Sequence, residues 1–425
     1  MLLNRKLGDY ILLRRLAVGG QSEVFLAMKD GPGEFNRPVV IKALPTRYRH
    51  DPKFVELFHR EAYLSSRFSH PNVVTVHDAR LIEGEQCMIM DFISGQTVAD
   101  IAQRGYKSGE PLSQNHAIRI VADACDGLNY THDFTDIDET RYPVVHRDVS
   151  PQNLMVTYQG VGMVFDFGIA KVEGKASHVD TLAGGKYAYM SPEQCVGDEV
   201  DTRSDIFSLG IILYELTAGT RLFRRSDRDE VIRAVTEQTI TPPGDVAEKY
   251  PPMLEDIVMK ALQRDPDARY QNAGKMRDDL RDFLSLQRGK NSRDALGAYV
   301  EELFAAEREA VATMIRRAAE LDEEPRPKNG TPLEHLGRED IDGEGSDPAV
   351  PMPEPQSDEA FADKLGETDA GQEAEAGDSD DDLETDEGRR HFEERMEDMR
   401  RKQRRLMVAL GILLLVALGL GITSI

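Results

Sequence analysis

Residues 142–156 read YPVVHRDVSPQNLMV. The stretch carries His146-Arg147-Asp148 and, five residues after the aspartate, Asn153. Shortly downstream, residues 164–171 read VFDFGIAK, with Asp166 in front of Phe-Gly. An amide and a carboxylate on two separate loops suit a hard divalent cation that keeps several waters. Asp148 is then the group placed to accept or orient a hydroxyl proton. Such a set serves phosphoryl transfer, which asks a protein mainly for positioning and charge.

Working outward, the upstream sequence supplies partners in the expected order. LAVGGQSEV comprises Leu16, Ala17, Val18, Gly19, Gly20, Gln21, Ser22, Glu23 and Val24. It aligns with a glycine-rich phosphate loop, G-x-G-x-x-G-x-V, in which Gly19 holds the middle position. Ala17 and Ser22 stand where the outer glycines usually are. As the smallest substitutes they weaken the loop without blocking it. VVIK follows on the next predicted strand, with Val40 and then Lys42, whose amine would neutralise ATP phosphates. Glu61, on the helix after it, is placed to hold Lys42 by ion pairing. A single glutamate on a helix is ordinarily a solvated residue, but the order of these elements and the HPNVV that follows weigh against that here.

Together these motifs resemble the eukaryotic-type (Hanks-type) Ser/Thr protein kinases of bacteria, over roughly residues 8–286. The resemblance implies an α+β, bilobal fold with a β-rich N-lobe over 8–93 and an α-rich C-lobe over 94–286. ATP would lie between the lobes and Mg²⁺ on Asn153 and Asp166. Met90 resembles the gatekeeper of the hinge, Asp91 to Ile93 would offer backbone groups to adenine, and Val40 and Met155 would cover its two faces. Glu193 in YMSPEQ resembles the acidic residue of A-P-E, with Arg269 as its ion-pair partner. Asp205 matches the aspartate that braces the catalytic loop. Protein hydroxyls are the implied substrates, and Pro151 in DVSPQN favours serine and threonine over tyrosine.

The departures from that pattern are specific. Ser150 stands where the family carries a catalytic-loop lysine, and Lys186 stands where it carries a threonine after the activation-loop glycine. The two chemistries are exchanged between positions that the family's fold brings together, so Lys186 is expected to restore the cation near Asp148. Arg147 before the catalytic aspartate implies control by activation-loop phosphate, with Thr181 preferred and Ser177 second. The polar stretch 133–142, DFTDIDETRY, is read as a surface insertion near the catalytic loop, with contact to substrate as the alternative. A scaffold that binds nucleotide without transfer is the alternative, favoured by Ser150 and the degraded loop and opposed by Lys42, Glu61, Asp148, Asn153 and Asp166. A third reading makes the chain chiefly a tail-anchored interaction protein.

The chain has 425 residues, 40% of them apolar, and a formal net charge of −24, which argues against nucleic acid as a partner. Its three cysteines, Cys87, Cys125 and Cys195, form no C-x-x-C pair and fit a reducing cytoplasm. The opening MLLNRKLGDY lacks the long apolar stretch of a signal peptide. Residues 291–321 form an amphipathic pattern with Leu296, Tyr299, Val300, Leu303 and Phe304 on one face. It is read as a helix packed on the large lobe, with a homodimer contact as the alternative. Residues 322–388 have a net charge of about −20 and hardly any aromatics, so they are expected to be a disordered linker. A basic segment, 389–405, then precedes LMVALGILLLVALGLGITSI, residues 406–425, which has no charge. Twenty such residues are the length of a transmembrane helix. The basic cluster places the kinase-like part on the cytoplasmic side. The expected location is therefore the inner face of a bacterial cell membrane, on a single C-terminal anchor.

Overall fold

The computed structural model describes residues 5–18, 22–29, 37–136, 139–168, 187–225, 227–287 and 292–320. Gly19, Gly20, Gln21, Ser177, Thr181 and Lys186 lie outside the described residues, as do the acidic, basic and apolar segments from 322 to 425. Among the described residues no helix is long and apolar enough to cross a membrane.

The first lobe is an antiparallel six-stranded sheet in the order β1-β2-β3-β4-β6-β5. Its strands are β1 (Arg5–Leu7), β2 (Tyr10–Val18), β3 (Glu23–Lys29), β4 (Arg37–Ala43), β5 (Val76–Ile82) and β6 (Glu85–Asp91). Alternation sorts the side chains into two faces. Phe25 and Ala27 of β3 join Val39 and Ile41 of β4 in one buried cluster. Val24 and Leu26 face the other way, opposite Lys42 and Val40 in the register, and it is this second face that meets the cleft. Helix α1 (Pro52–Ser65) crosses between β4 and β5. Asp51 caps it by accepting the Lys53 N–H at 2.9 Å, and Pro52 opens its first turn.

The second lobe is helical. Its centre is α3 (Gln114–His132) against α5 (Thr202–Ala218). Ile206, Phe207, Leu209, Ile211, Ile212 and Leu213 of α5 are all fully buried. A helix apolar on every side has to be enclosed, and α8 (Pro252–Ala261) and α9 (Ala273–Leu286) are among the helices that complete that shell. A small sheet, β7 (Gly95–Thr97), β8 (Leu154–Thr157) and β9 (Gly162–Val164), carries the catalytic loops at the lobe boundary. At the two ends of the polar stretch 133–142 the Tyr142 N–H donates to Phe134 O at 2.8 Å, and Asp136 pairs with Arg67 just past α1.

The amphipathic segment after the kinase-like part differs from the single helix its periodicity predicts. It breaks at Phe304 into α10 (Arg293–Leu303) and α11 (Ala305–Glu320). Leu296, Val300 and Phe304 join the large-lobe core, as expected. Val311, Met314, Ile315 and Ala318 instead pack on Ile11, Leu13, Leu26 and Met28 of the small lobe. The 311, 314, 315, 318 spacing is one stripe of an α-helix, and periodicity along the chain does not say which lobe that stripe meets.

Candidate active site

Lys42 lies on β4 and points from the cleft-facing side of the sheet. Its Nζ donates to Glu61 Oε1 of α1 at 2.7 Å and also to Asp166 Oδ1. Burial works against the Lys42 charge, but Asp166 and Glu61 outweigh it and raise the ammonium above its ordinary range. Burial pushes the Glu61 carboxyl up to about 7, opposed by Lys42. The buried charge is therefore held on the lysine, where a triphosphate needs it.

The catalytic loop is fixed by backbone hydrogen bonds rather than by packing alone. Asp205, at the start of α5, accepts the His146 N–H on Oδ2 and the Arg147 N–H on Oδ1, each at 2.8 Å. His132 donates to the same Oδ2 at 2.8 Å. Gln194 Nε2 donates to the Arg147 carbonyl at 3.0 Å. Burial lowers the His146 pKa, and the hydrogen bonds of the ring suit the neutral form. Its Nδ1 then accepts the Asp148 N–H at 3.2 Å, while Nε2 donates to Phe165 O at 3.0 Å. One neutral imidazole thus ties the loop that carries Asp148 to the loop that carries Asp166. The Phe167 ring packs 4.5 Å from that of His146 and 5.2 Å from that of Phe68.

Asn153 donates its amide N–H to Asp148 O at 2.7 Å. That leaves its amide oxygen as the ligand it can offer, and Asn153 and Asp166 line the same cleft. Among the described residues no cluster of three or more His, Cys, Asp or Glu could hold a metal alone. Two hard protein oxygens completed by phosphate and water suit Mg²⁺, which rarely uses an all-protein cage. The cleft encloses about 1050 Å³. Leu16, Val24, Val40, Met90 and Met155 give it apolar walls, and Lys42 and Asp166 lie at its polar end. The residues present therefore fit a nucleoside triphosphate with its cation. The Asp91 N–H is already engaged by Thr75 O at 3.0 Å, and Asp91 and Ile93 line the same wall of the cleft.

Ala17, Val18 and Ser22 line the cleft, and Glu23 is buried at the start of β3. Ser150 is buried within the catalytic loop, and its carbonyl accepts the Asn153 N–H at 3.0 Å. Glu193 and Arg269 form a two-pronged pair at 2.8 and 2.7 Å. Burial alone would raise the Glu193 carboxyl, but hydrogen bonds from Arg269 and Ser204 bring it below its usual range. Six residues escaped the sequence reading: His132 and Gln194, which brace the catalytic loop, and Glu307, Arg308, Val311 and Ile315 of α11, which border the cleft. Each meets the site only through long-range packing, and no local spacing announces it.

A cleft with an apolar wall, a buried ammonium and two oxygen ligands at one end, set between a β-rich and a helical lobe, is the arrangement of the protein-kinase class. Sequence comparison agrees: the protein kinase domain family matches residues 10–279, and the chain belongs to it. A tyrosine-protein kinase of Myxococcus xanthus, MasK, is 37% identical over 315 residues, covering 74% of this chain and 49% of that protein. The serine/threonine-protein kinase PknB of Mycobacterium leprae is 35% identical over 271 residues, covering 62% of this chain and 41% of its own length. The chain thus spans about half the length, or less, of these curated relatives. Among solved structures, the kinase domain of Mycobacterium tuberculosis PknI matches with a TM-score of 0.50 at 22% identity, covering 67% of this chain and all of that one, a likeness of fold alone.

Proposed function

We propose that the chain is a protein kinase that transfers the ATP γ-phosphate to serine and threonine hydroxyls of other proteins. The observation that carries the reading is the closed Lys42–Glu61 pair beside Asp166, with Asn153 lining the same cleft and its amide tying down the backbone of Asp148. Mg²⁺ on Asn153 and Asp166, when bound, supplies charge neutralisation for the phosphates. Lys42 binds phosphate oxygens, and Glu61 keeps it from swinging away. Asp148 orients the incoming hydroxyl and takes its proton, while Asp205, His132 and His146 hold the Asp148 loop in place. Catalysis here is positioning together with fixed electrostatics.

Tyrosine is the second reading, favoured by the name of the Myxococcus relative. Pro151, at the head of the turn after Ser150, stands where the serine/threonine kinases of the family typically carry proline and supports serine and threonine. Phosphoamino-acid analysis of the autophosphorylated chain and of a mixed protein substrate separates the two. Phosphoserine and phosphothreonine are expected, and phosphotyrosine alone would replace the reading. Membrane tethering through 406–425 rests on twenty uncharged residues behind a basic segment. The Lys186 cation, and loop phosphate on Thr181 or Ser177 facing Arg147, likewise rest on sequence.

A further inference from the structure

Helix α11 shares a sheet face with the nucleotide site. In β3, Val24 lines the cleft while Leu26 and Met28, two and four residues on, continue the same face outward. That outward continuation is what α11 covers. Leu16, Phe92, Val311 and Ile315 belong both to the cluster under the sheet and to the wall of the cleft. The helix is thus the outer side of the cavity in which Lys42 and Asp166 stand.

The other end of the same element is fastened to the large lobe. Arg104 of α2 (Val98–Ser108) donates to Leu303 O at 3.2 Å, lies 4.2 Å over the Phe304 ring and pairs with Glu307. Arg308 stacks 5.4 Å over the Tyr158 ring, just past β8. Tyr299 of α10 donates to Glu110 O at 2.7 Å. Backbone approach is equally close: a Cβ added at Gly297 would stand 2.6 Å from Tyr158 O, and one at Gly160 would meet the Arg293 carbonyl at 2.0 Å. One rigid helix therefore grips the small lobe by its apolar stripe and the large lobe by its first turn.

We propose that α10 and α11 form a strap that closes the hinge side of the nucleotide cleft, and that the Arg104–Glu307 pair is the positioning contact that sets how readily the cleft opens. The functional unit then runs to residue 320, about forty residues past the end of the family match at 279. Glu307 and Arg104 act through lobe position, and neither takes part in phosphoryl transfer. The proposal rests on the nucleotide-binding reading of the cleft.

The test is the release of a fluorescent ADP, with Mg²⁺, from the full chain and its variants in stopped flow. Glu307→Gln and Arg104→Ala should speed release by threefold or more. The exchanged pair, Arg104→Glu with Glu307→Arg, should bring the rate back toward that of the unaltered chain. Val311→Asp should speed release further, and if that variant does not fold the two milder ones still decide the question. In turnover, the ATP KM should rise while kcat at saturating ATP changes less than twofold. Release at the unaltered rate in Glu307→Gln and Arg104→Ala, or tighter binding in either, would overturn the strap while leaving the kinase reading intact. Failure of the unaltered chain to bind the nucleotide would overturn both.

Discussion

The Asp205 carboxylate accepts the backbone N–H of Arg147 at 2.8 Å, and Arg147 sits at φ +63°. A left-handed backbone costs a residue with a side chain on the order of 1–2 kcal/mol, and surrounding contacts have to hold it there. Asp205 supplies that hold, together with the Gln194 bond to the Arg147 carbonyl. Asp166, on the facing loop, has φ +62°. Both strained residues lie beside groups that would meet phosphate or metal.

Removing the brace should therefore cost both stability and turnover. Asp205→Ala strands the N–H groups of His146 and Arg147 and the His132 ring, at about 1–3 kcal/mol for each buried unpaired donor. Asp205→Asn keeps one acceptor oxygen and should lose less. Urea unfolding and turnover of the two variants check this. Equal stability of Asp205→Ala and the unaltered chain would contradict the bracing role.

The Glu61 proton gives a dependence on pH with a definite sign. The folded carboxyl ionises near 7, against an ordinary value of 4.5. The folded protein therefore binds this proton over a range where the unfolded chain has released it. The stability it contributes is full below the unfolded value and is lost as pH rises through the folded one. Unfolding free energy should fall by about 1–3 kcal/mol across that window. Lys42 adds no slope there, since its raised pKa keeps it charged in both states. Glu61→Gln never ionises and should flatten the profile in nucleotide-free unfolding at pH 5 and pH 8. A variant with the same slope as the unaltered chain would assign the proton elsewhere.

With Ser150 at the family's lysine position, the transferring phosphate lacks one cation, and Lys186 is the residue proposed to supply it. Lys186→Ala should lower kcat by tenfold or more, at least about 1.4 kcal/mol, and Lys186→Arg should retain much of the rate. Unchanged turnover in Lys186→Ala would show that another group supplies the charge.

Deleting residues 406–425 should move the protein from the membrane pellet to the soluble fraction with its kinase activity kept. Fractionation of cells expressing the two forms, followed by an activity assay, measures both properties. An unchanged pellet fraction would remove the anchor from the proposal, and loss of activity in a folded soluble form would make the membrane part of activation.

The site was readable where chemistry is local. His146 to Asn153 and Asp166 are confined to short loops whose residue types have few other uses in that order. Lys42 and Glu61 could be paired because a strand and the following helix return their side chains to one place. The position of α11 could not be read in the same way. Its stripe says that a face is buried, yet apolar contact is non-directional, so Val311 and Ile315 carry no sign of which lobe they meet. His132 was hidden for a related reason: at the end of α3, 73 positions from Asp205, it becomes a partner only when α3 and α5 pack.

Transfer of labelled γ-phosphate from ATP with Mg²⁺ by the purified full chain, beside Asp148→Asn, tests the central claim most directly. Asp148→Asn keeps the side-chain shape and the backbone bonds to His146 and Asn153, so it should fold and bind nucleotide like the unaltered chain. The expected result is phosphate on the unaltered chain or on an added protein, reduced by a hundredfold or more in the variant, in keeping with the about 10²–10⁴-fold contribution of a positioned proton acceptor. Equal labelling by the two proteins, or none by either while both bind ATP, would contradict it and leave a nucleotide-binding scaffold in its place.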